Sequence, residues 1–149
     1  MTSLELIQSY LDNNNLGNIT HLFKELQNAD YEGYTFLANG LSYRSRLAKL
    51  TPKKKGYFVA FWEKNTQNSN QAYSYTESPD YLIVTIIDDN KKGLFLFPKE
   101  ILLTKKILMT DTQKGKMAIR VYPTWETNLN PTAEKTQNWQ CQYFVDLSS

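Results

Sequence analysis

An α+β domain, with a mainly antiparallel sheet, N-terminal helices and a C-terminal helix packed on it, is the fold class this sequence predicts. Three observations lead there. Apolar residues near the N-terminus recur at helical spacing, the apolar runs after Gly56 become β-branched and aromatic, and a helical pattern returns after Pro131. Helices, then strands, then a helix is not the alternation of a repeated βαβ unit. The 149 residues are read as a single domain over 1–149, large enough to bury a substantial core.

Leu4, Ile7 and Leu11 at i, i+3, i+7 predict a first short helix, ended by the run Asp12 to Asn15. A second is expected with Asn18 as N-cap and Ile19, Leu22, Phe23 and Leu26 on one face. Glu32 to Tyr34 break that pattern, and Tyr34–Ala38 reads as a short strand. The segment from Tyr57 to Glu63 is a strand by its aromatic and β-branched content. The polar stretch 65–80 is a loop. Tyr81–Asp88 is apolar on both faces, as a covered central strand requires, and is predicted to form a hairpin with the residues to Phe97 across a four- or five-residue loop. Pro98 is placed at the first position of a short helix carrying Ile101 and Leu102. Met117 to Tyr122 is another strand, with Ala118, Arg120 and Tyr122 on one face. Asn130 caps the last helix and Pro131 takes its first position; its end is open, since Tyr143–Val145 reads equally as a strand. The similar pentapeptides KKGYF and KKGLF are two like turns rather than a duplication.

No apolar run approaches the roughly 20 residues of a membrane span, and the first residues lack a basic, apolar and small-residue leader pattern, so no membrane insertion and a cytoplasmic location are expected. One cysteine, Cys141, excludes an internal disulfide; with His21 the only histidine, no Cys/His metal cluster is expected. No phosphate-cradling glycine loop or dinucleotide fingerprint is present, so no cofactor is expected.

Net charge is only +2, yet Arg44, Arg46, Lys49, Lys53, Lys54 and Lys55 fall between Arg44 and Trp62 with no acid among them. Arg46 has a planar fork suited to phosphate, and Lys49 and Lys54 would add point charges beside it. A solvated turn is the competing reading, and it is preferred for Lys53 and Lys55. Arg120 on a sheet face needs a partner, either an anion or one of Glu63, Asp80 and Glu126. Trp62 is assigned to the core, whereas Trp125, following Pro123 in a loop, suits either a core or a stacking surface. Pro79-Asp80 with Asp89-x-Lys91 has the look of a nuclease signature. Asp80 and Asp89, however, bracket one strand, which separates them by roughly 30 Å. No motif orients Cys141 or His21 for catalysis, and no catalytic residue is assigned.

Four motifs in one order, RLAKLTPKKKGYF (46–58), GLFLFPKEIL (93–102), GKMAIRVYPTWE (115–126) and AEKTQNWQCQYF (133–144), resemble the MepB family, named for a gene beside a multidrug efflux pump. The family's Arg-x-Ala-Lys-x-Thr-Pro-x-Lys-x-Gly pattern falls on Arg46, Ala48, Lys49, Thr51, Pro52, Lys54 and Gly56. Gly115, Lys116, Arg120, Val121, Tyr122, Pro123 and Trp125 match a second element; Lys135, Thr136, Gln137, Trp139 and Gln140 match the terminal helix. Met117, Thr124 and Glu126 depart from the pattern. The resemblance fixes no activity.

Together these readings give a candidate ligand- or phosphate-binding set of Arg46, Lys49, Lys54, Arg120, Trp125 and Gln137. The expected partner is nucleic acid or another phosphate-bearing ligand, held in one basic-aromatic cleft built from the 44–56 segment, Arg120 and the start of the last helix. A metal-dependent nuclease using Glu63, Asp80 or Glu126, and an accessory protein for small anions or drugs linked to efflux, are the alternatives.

Overall fold

The computed structural model describes residues 1–149. Helix α1 (Ser3–Asn13) is followed by β1 (Thr20–Lys24), β2 (Tyr34–Ala38), β3 (Leu41–Leu47), β4 (Lys49–Thr51) and β5 (Lys54–Ala60). Then come the two-residue strands β6 (Glu63–Lys64) and β7 (Asn70–Gln71), the hairpin β8 (Tyr81–Asp88) and β9 (Lys91–Pro98), and α2 (Lys99–Thr104). Strand β10 (Ala118–Val121), helix α3 (Pro131–Gln140) and β11 (Phe144–Asp146) complete the chain. This is the predicted α+β class, with one parallel strand pair, β3 beside β8, in an otherwise antiparallel arrangement.

A six-stranded sheet runs in the order β1-β2-β3-β8-β9-β11, and a three-stranded sheet in the order β10-β5-β4. Helix α1 covers one face of the large sheet: Thr2 caps it through Oγ1 to the Glu5 amide at 3.2 Å, and Ile7 and Leu11 pack on Phe36, Ala38, Tyr43, Ile83 and Leu94. The other face carries Leu82, Val84, Ile86, Phe95 and Phe97, which meet Tyr57, Val59, Ile119 and Val121 of the small sheet and Phe61 just after it. The main core therefore lies between the sheets, and β8 is covered on both sides as its apolar run requires.

The second expected helix does not form. Thr20–Lys24 pairs antiparallel with β2 as an edge strand, all five residues exposed, because no apolar surface faces Leu22, Phe23 and Leu26 to reward a helix. The β-branched Ile19 and Thr20 and the left-handed Gly17 (φ +79°) favour the extended path. The 81–98 hairpin forms with a two-residue loop rather than a longer one, with Asp88 pairing Lys91 and Asp89 at φ +55°. Pro98 is the N-cap of α2 rather than its first residue. The last helix begins as expected, with Asn130 Oδ1 accepting from the Ala133 amide at 2.8 Å, but it stops at Gln140 and Phe144–Asp146 becomes a strand on β9. No helix is long and apolar enough to cross a membrane.

Candidate functional site

The basic segment folds as the end of β3 and then a tight hairpin, β4–β5, with Pro52 and Lys53 at its tip. Gly56 makes the next contact possible. Its φ of +81° suits glycine, and a Cβ there would stand 2.8 Å from the Tyr122 ring and 2.9 Å from the Val121 carbonyl. Strand β5 thereby lies close against β10, with Lys49, Phe58 and Arg120 in one cross-strand row. Alternation sends Tyr57 and Val59 into the core and leaves Phe58, Arg120 and Lys49 on the outer face.

Arg120 Nη1 donates to Thr51 Oγ1 at 3.0 Å and to the Lys55 carbonyl at 3.1 Å, so Nε and Nη2 have no protein acceptor. Neither Glu63, Asp80 nor Glu126 pairs with it. Its guanidinium carbon lies 5.9 Å from the Phe58 ring centre, and Lys49 Nζ lies 5.3 Å from that of Tyr31.

Helix α3 closes the free edge of β10 through a single side chain. Buried Gln140 accepts from the Tyr122 amide at 2.9 Å and donates to the Arg120 carbonyl at 3.0 Å, satisfying both backbone groups as a strand would. Lys55 Nζ donates to the Thr127 and Asn128 carbonyls and ties the hairpin to the loop before α3.

Three pockets adjoin along this edge. The first, about 480 Å³, is lined by Lys53, Lys54, Lys55, Arg120, Tyr122, Asn128, Leu129, Asn130 and Ala133. The second, about 280 Å³, shares Arg120 and Tyr122 and adds Lys105, Lys116, Thr136 and Trp139. The third, about 360 Å³, shares Lys116 and adds Lys106 and Lys114. Eight cations and no Asp or Glu line the three, in a chain of 17 cations and 15 acids. Such a segregated field attracts polyanions even at low net charge. The aromatic component is Tyr122 and Trp139, with Lys105 Nζ 5.4 Å from a Trp139 ring.

The structure brings Lys49, Lys54 and Arg120 to this side of the small sheet and removes three other candidates from it. Arg46 is fully buried. Its fork donates to Glu25 Oε1 at 2.7 Å, the Ser45 carbonyl at 2.9 Å, Asn28 Oδ1 at 3.1 and 3.3 Å and the Tyr73 hydroxyl at 2.8 Å, leaving nothing for a phosphate. Burial by itself would raise the Glu25 pKa, but Arg44 and Arg46 outweigh it and hold the carboxyl below its ordinary value. Trp125 packs on the core, edge-on to Tyr57 and Phe144, with Nε1 donating to the Tyr57 hydroxyl at 3.1 Å. Gln137 donates to the Pro123 and Glu126 carbonyls at 2.9 and 3.0 Å and fixes that turn.

The acids of the nuclease alternative are used locally. Asp80 accepts from the Ser42 amide and hydroxyl, which hold its pKa down, and Glu63 accepts from Gln71. No three His, Cys, Asp or Glu side chains lie close enough to hold a metal ion, so Glu63, Asp80 and Glu126 form no shared cluster. Burial pushes the Cys141 thiol up, away from the thiolate a nucleophile needs.

Lys105, Lys106 and Lys114 were not legible as site residues, because in the sequence they are spread out, with Asp111 between them, and form no run like that from Arg44 to Lys55. The antiparallel register of β10 on β5, with Ala118 opposite Ala60 and Val121 opposite Tyr57, sets Lys116 and Lys53–Lys55 at opposite ends of the strand pair with Arg120 between them.

The family model of MepB-like proteins matches residues 25–146. A crystal structure of MepB is 45% identical, covers 100% of this chain and 99% of its own, and superposes with a TM-score of 0.88. A bacterial homing endonuclease, I-Ssp6803I, is 13% identical with a TM-score of 0.52, over 94% of this chain and 88% of that one, which is a likeness of fold alone. No curated protein matches significantly. On the family match and the full-length likeness to MepB, the chain belongs to the MepB-like family.

Proposed function

We propose that the protein binds a phosphate-bearing polymer, nucleic acid in the first instance, along the basic track between the β4–β5 hairpin and α3. One observation carries the reading: three adjoining pockets lined by eight cations and no acid. Lysines act there as point charges, Arg120 has two free donor nitrogens for phosphate oxygens, and Tyr122 and Trp139 offer faces to bases or sugars. The track is open, as a continuous backbone needs, rather than a closed apolar pocket of the kind that holds a drug-sized ligand. A fold shared with a homing endonuclease is compatible with such a surface, although at 13% identity it transfers no residues.

Fluorescence anisotropy with labelled single- and double-stranded oligomers tests the proposal. Binding at low salt is expected, reduced at least about tenfold by the double charge reversal Lys54→Glu with Lys116→Glu, since each exposed lysine contributes through phosphate neutralisation. Absence of binding to either oligomer by protein with a native circular dichroism spectrum overturns the proposal and favours a small-anion ligand.

A further inference from the structure

We infer that a slot on the outer face of the small sheet receives one unstacked nucleobase of a single strand whose backbone follows the basic track; this rests on the function proposed above. The slot, about 270 Å³, is lined by Asn28, Ala29, Asp30, Tyr31, Ala60 and Trp62. It exists because of one small residue. The chain stays extended past the end of β5, where the Phe61 amide still donates to the Met117 carbonyl, and at about 6.6 Å per two residues Phe58 and Trp62 stand roughly 13 Å apart with the Ala60 methyl between them. Tyr31 lies on Phe58 edge-on, ring centres 6.2 Å apart, and walls one end; Trp62 walls the other. The expectation of a core Trp62 is not met: it is half-buried and belongs to neither hydrophobic cluster.

Asn28 ties the wall of the slot to the buried Arg46 cluster. Asn28 Oδ1 accepts from Arg46 Nε and Nη2 and from the Trp62 amide. All three groups can only donate, which fixes the orientation of the amide. Asn28 Nδ2 is then a buried donor with no acceptor in the protein. The backbone of Asn28 is held left-handed at φ +60°, so the amide is presented from a rigid position.

The slot is continuous with the track. Arg120 lies 5.9 Å from the Phe58 ring, and Phe58 lies 6.2 Å from Tyr31, so a strand with a phosphate at Arg120 can turn a neighbouring base across Phe58 into the gap. Lys49 beside Tyr31 and Lys64 beside Trp62, at 5.3 and 5.5 Å from the rings, stand at the two ends of the slot and outnumber Asp30, the one acid in its lining. A duplex cannot use the slot without unpairing, because its bases are stacked and paired. Single strands are therefore preferred.

The probes are a fluorescein-labelled dT 12-mer and an abasic 12-mer of the same backbone, with protein variants Trp62→Ala and Trp62→Phe. The dT oligomer should bind more tightly than the abasic one. Trp62→Ala should weaken dT binding about 5- to 150-fold, the range of one lost base stack, leave abasic binding and the salt dependence unchanged, and be largely restored by Trp62→Phe. Equal binding of the two oligomers, or equal weakening of both by Trp62→Ala in a protein of native spectrum, overturns the slot and leaves the track standing. If neither oligomer binds at low salt, the proposed function and the slot fall together.

Discussion

Replacing Arg46 should unfold the protein rather than weaken its hold on a ligand. Its guanidinium joins Glu25, Asn28, Tyr73 and the Ser45 carbonyl at full burial, and its removal leaves Glu25 with Arg44 alone, beside a buried Tyr73 hydroxyl short of a partner. Breaking a buried pair by deleting one member costs about 3–5 kcal/mol. At about 2–4 °C per kcal/mol for a domain of this size, Arg46→Ala should lower Tm by roughly 6–20 °C. That is a large share of a stability of about 5–15 kcal/mol, so Arg46→Lys is the companion variant. It keeps one charge against Glu25 but forfeits the fork, and a loss of about 1–3 kcal/mol is expected. Thermal and urea unfolding followed by circular dichroism read both, and oligomer binding by the folded Arg46→Lys protein should keep the parental salt dependence. Parental stability combined with weakened, less salt-dependent binding would refute the reasoning and return Arg46 to the binding surface.

Glu25, whose folded pKa is depressed, contributes stability that is present above its ordinary value near 4.5 and is lost as pH falls through the lower folded value; urea midpoints should drop in that acid window, and Glu25→Gln should flatten the drop. Gln140→Leu should destabilise by about 2–5 kcal/mol in urea unfolding, because the Tyr122 amide and the Arg120 carbonyl both lose their partner at the closed edge of β10.

The central hairpin and the last helix were legible because local chemistry decides them: the doubly apolar run 81–88 needs cover on two faces, and Asn130-Pro131 is a helix start in any context. The 18–26 segment misled because its spacing fits a helix while Leu22, Phe23 and Leu26 meet no partner, a tertiary fact that periodicity does not contain. The site divided in the same way. Strand alternation set Arg120 on the outer face, but the charge run from Arg44 to Lys55 did not distinguish Arg46, turned inward to Glu25, from Lys54, turned to solvent. Glu25 lies 21 residues before Arg46 and is brought to it by the fold. Lys105 and Lys116 joined Arg120 through the Lys116 amide's bond to the Ile107 carbonyl, and Arg120 joined the hairpin through the pairing of β10 with β5, two segments some 60 residues apart in sequence.

The salt dependence of binding to a single-stranded oligomer tests the basic track most directly. If Lys53, Lys54, Lys105, Lys116 and Arg120 each neutralise about one phosphate, log K against log salt has a slope near about −0.7 × 5, or roughly −3.5, and Lys54→Ala and Lys116→Ala each reduce its magnitude by about 0.7. A slope near zero, or one that neither substitution changes, would contradict the assignment of this surface to a phosphate polymer.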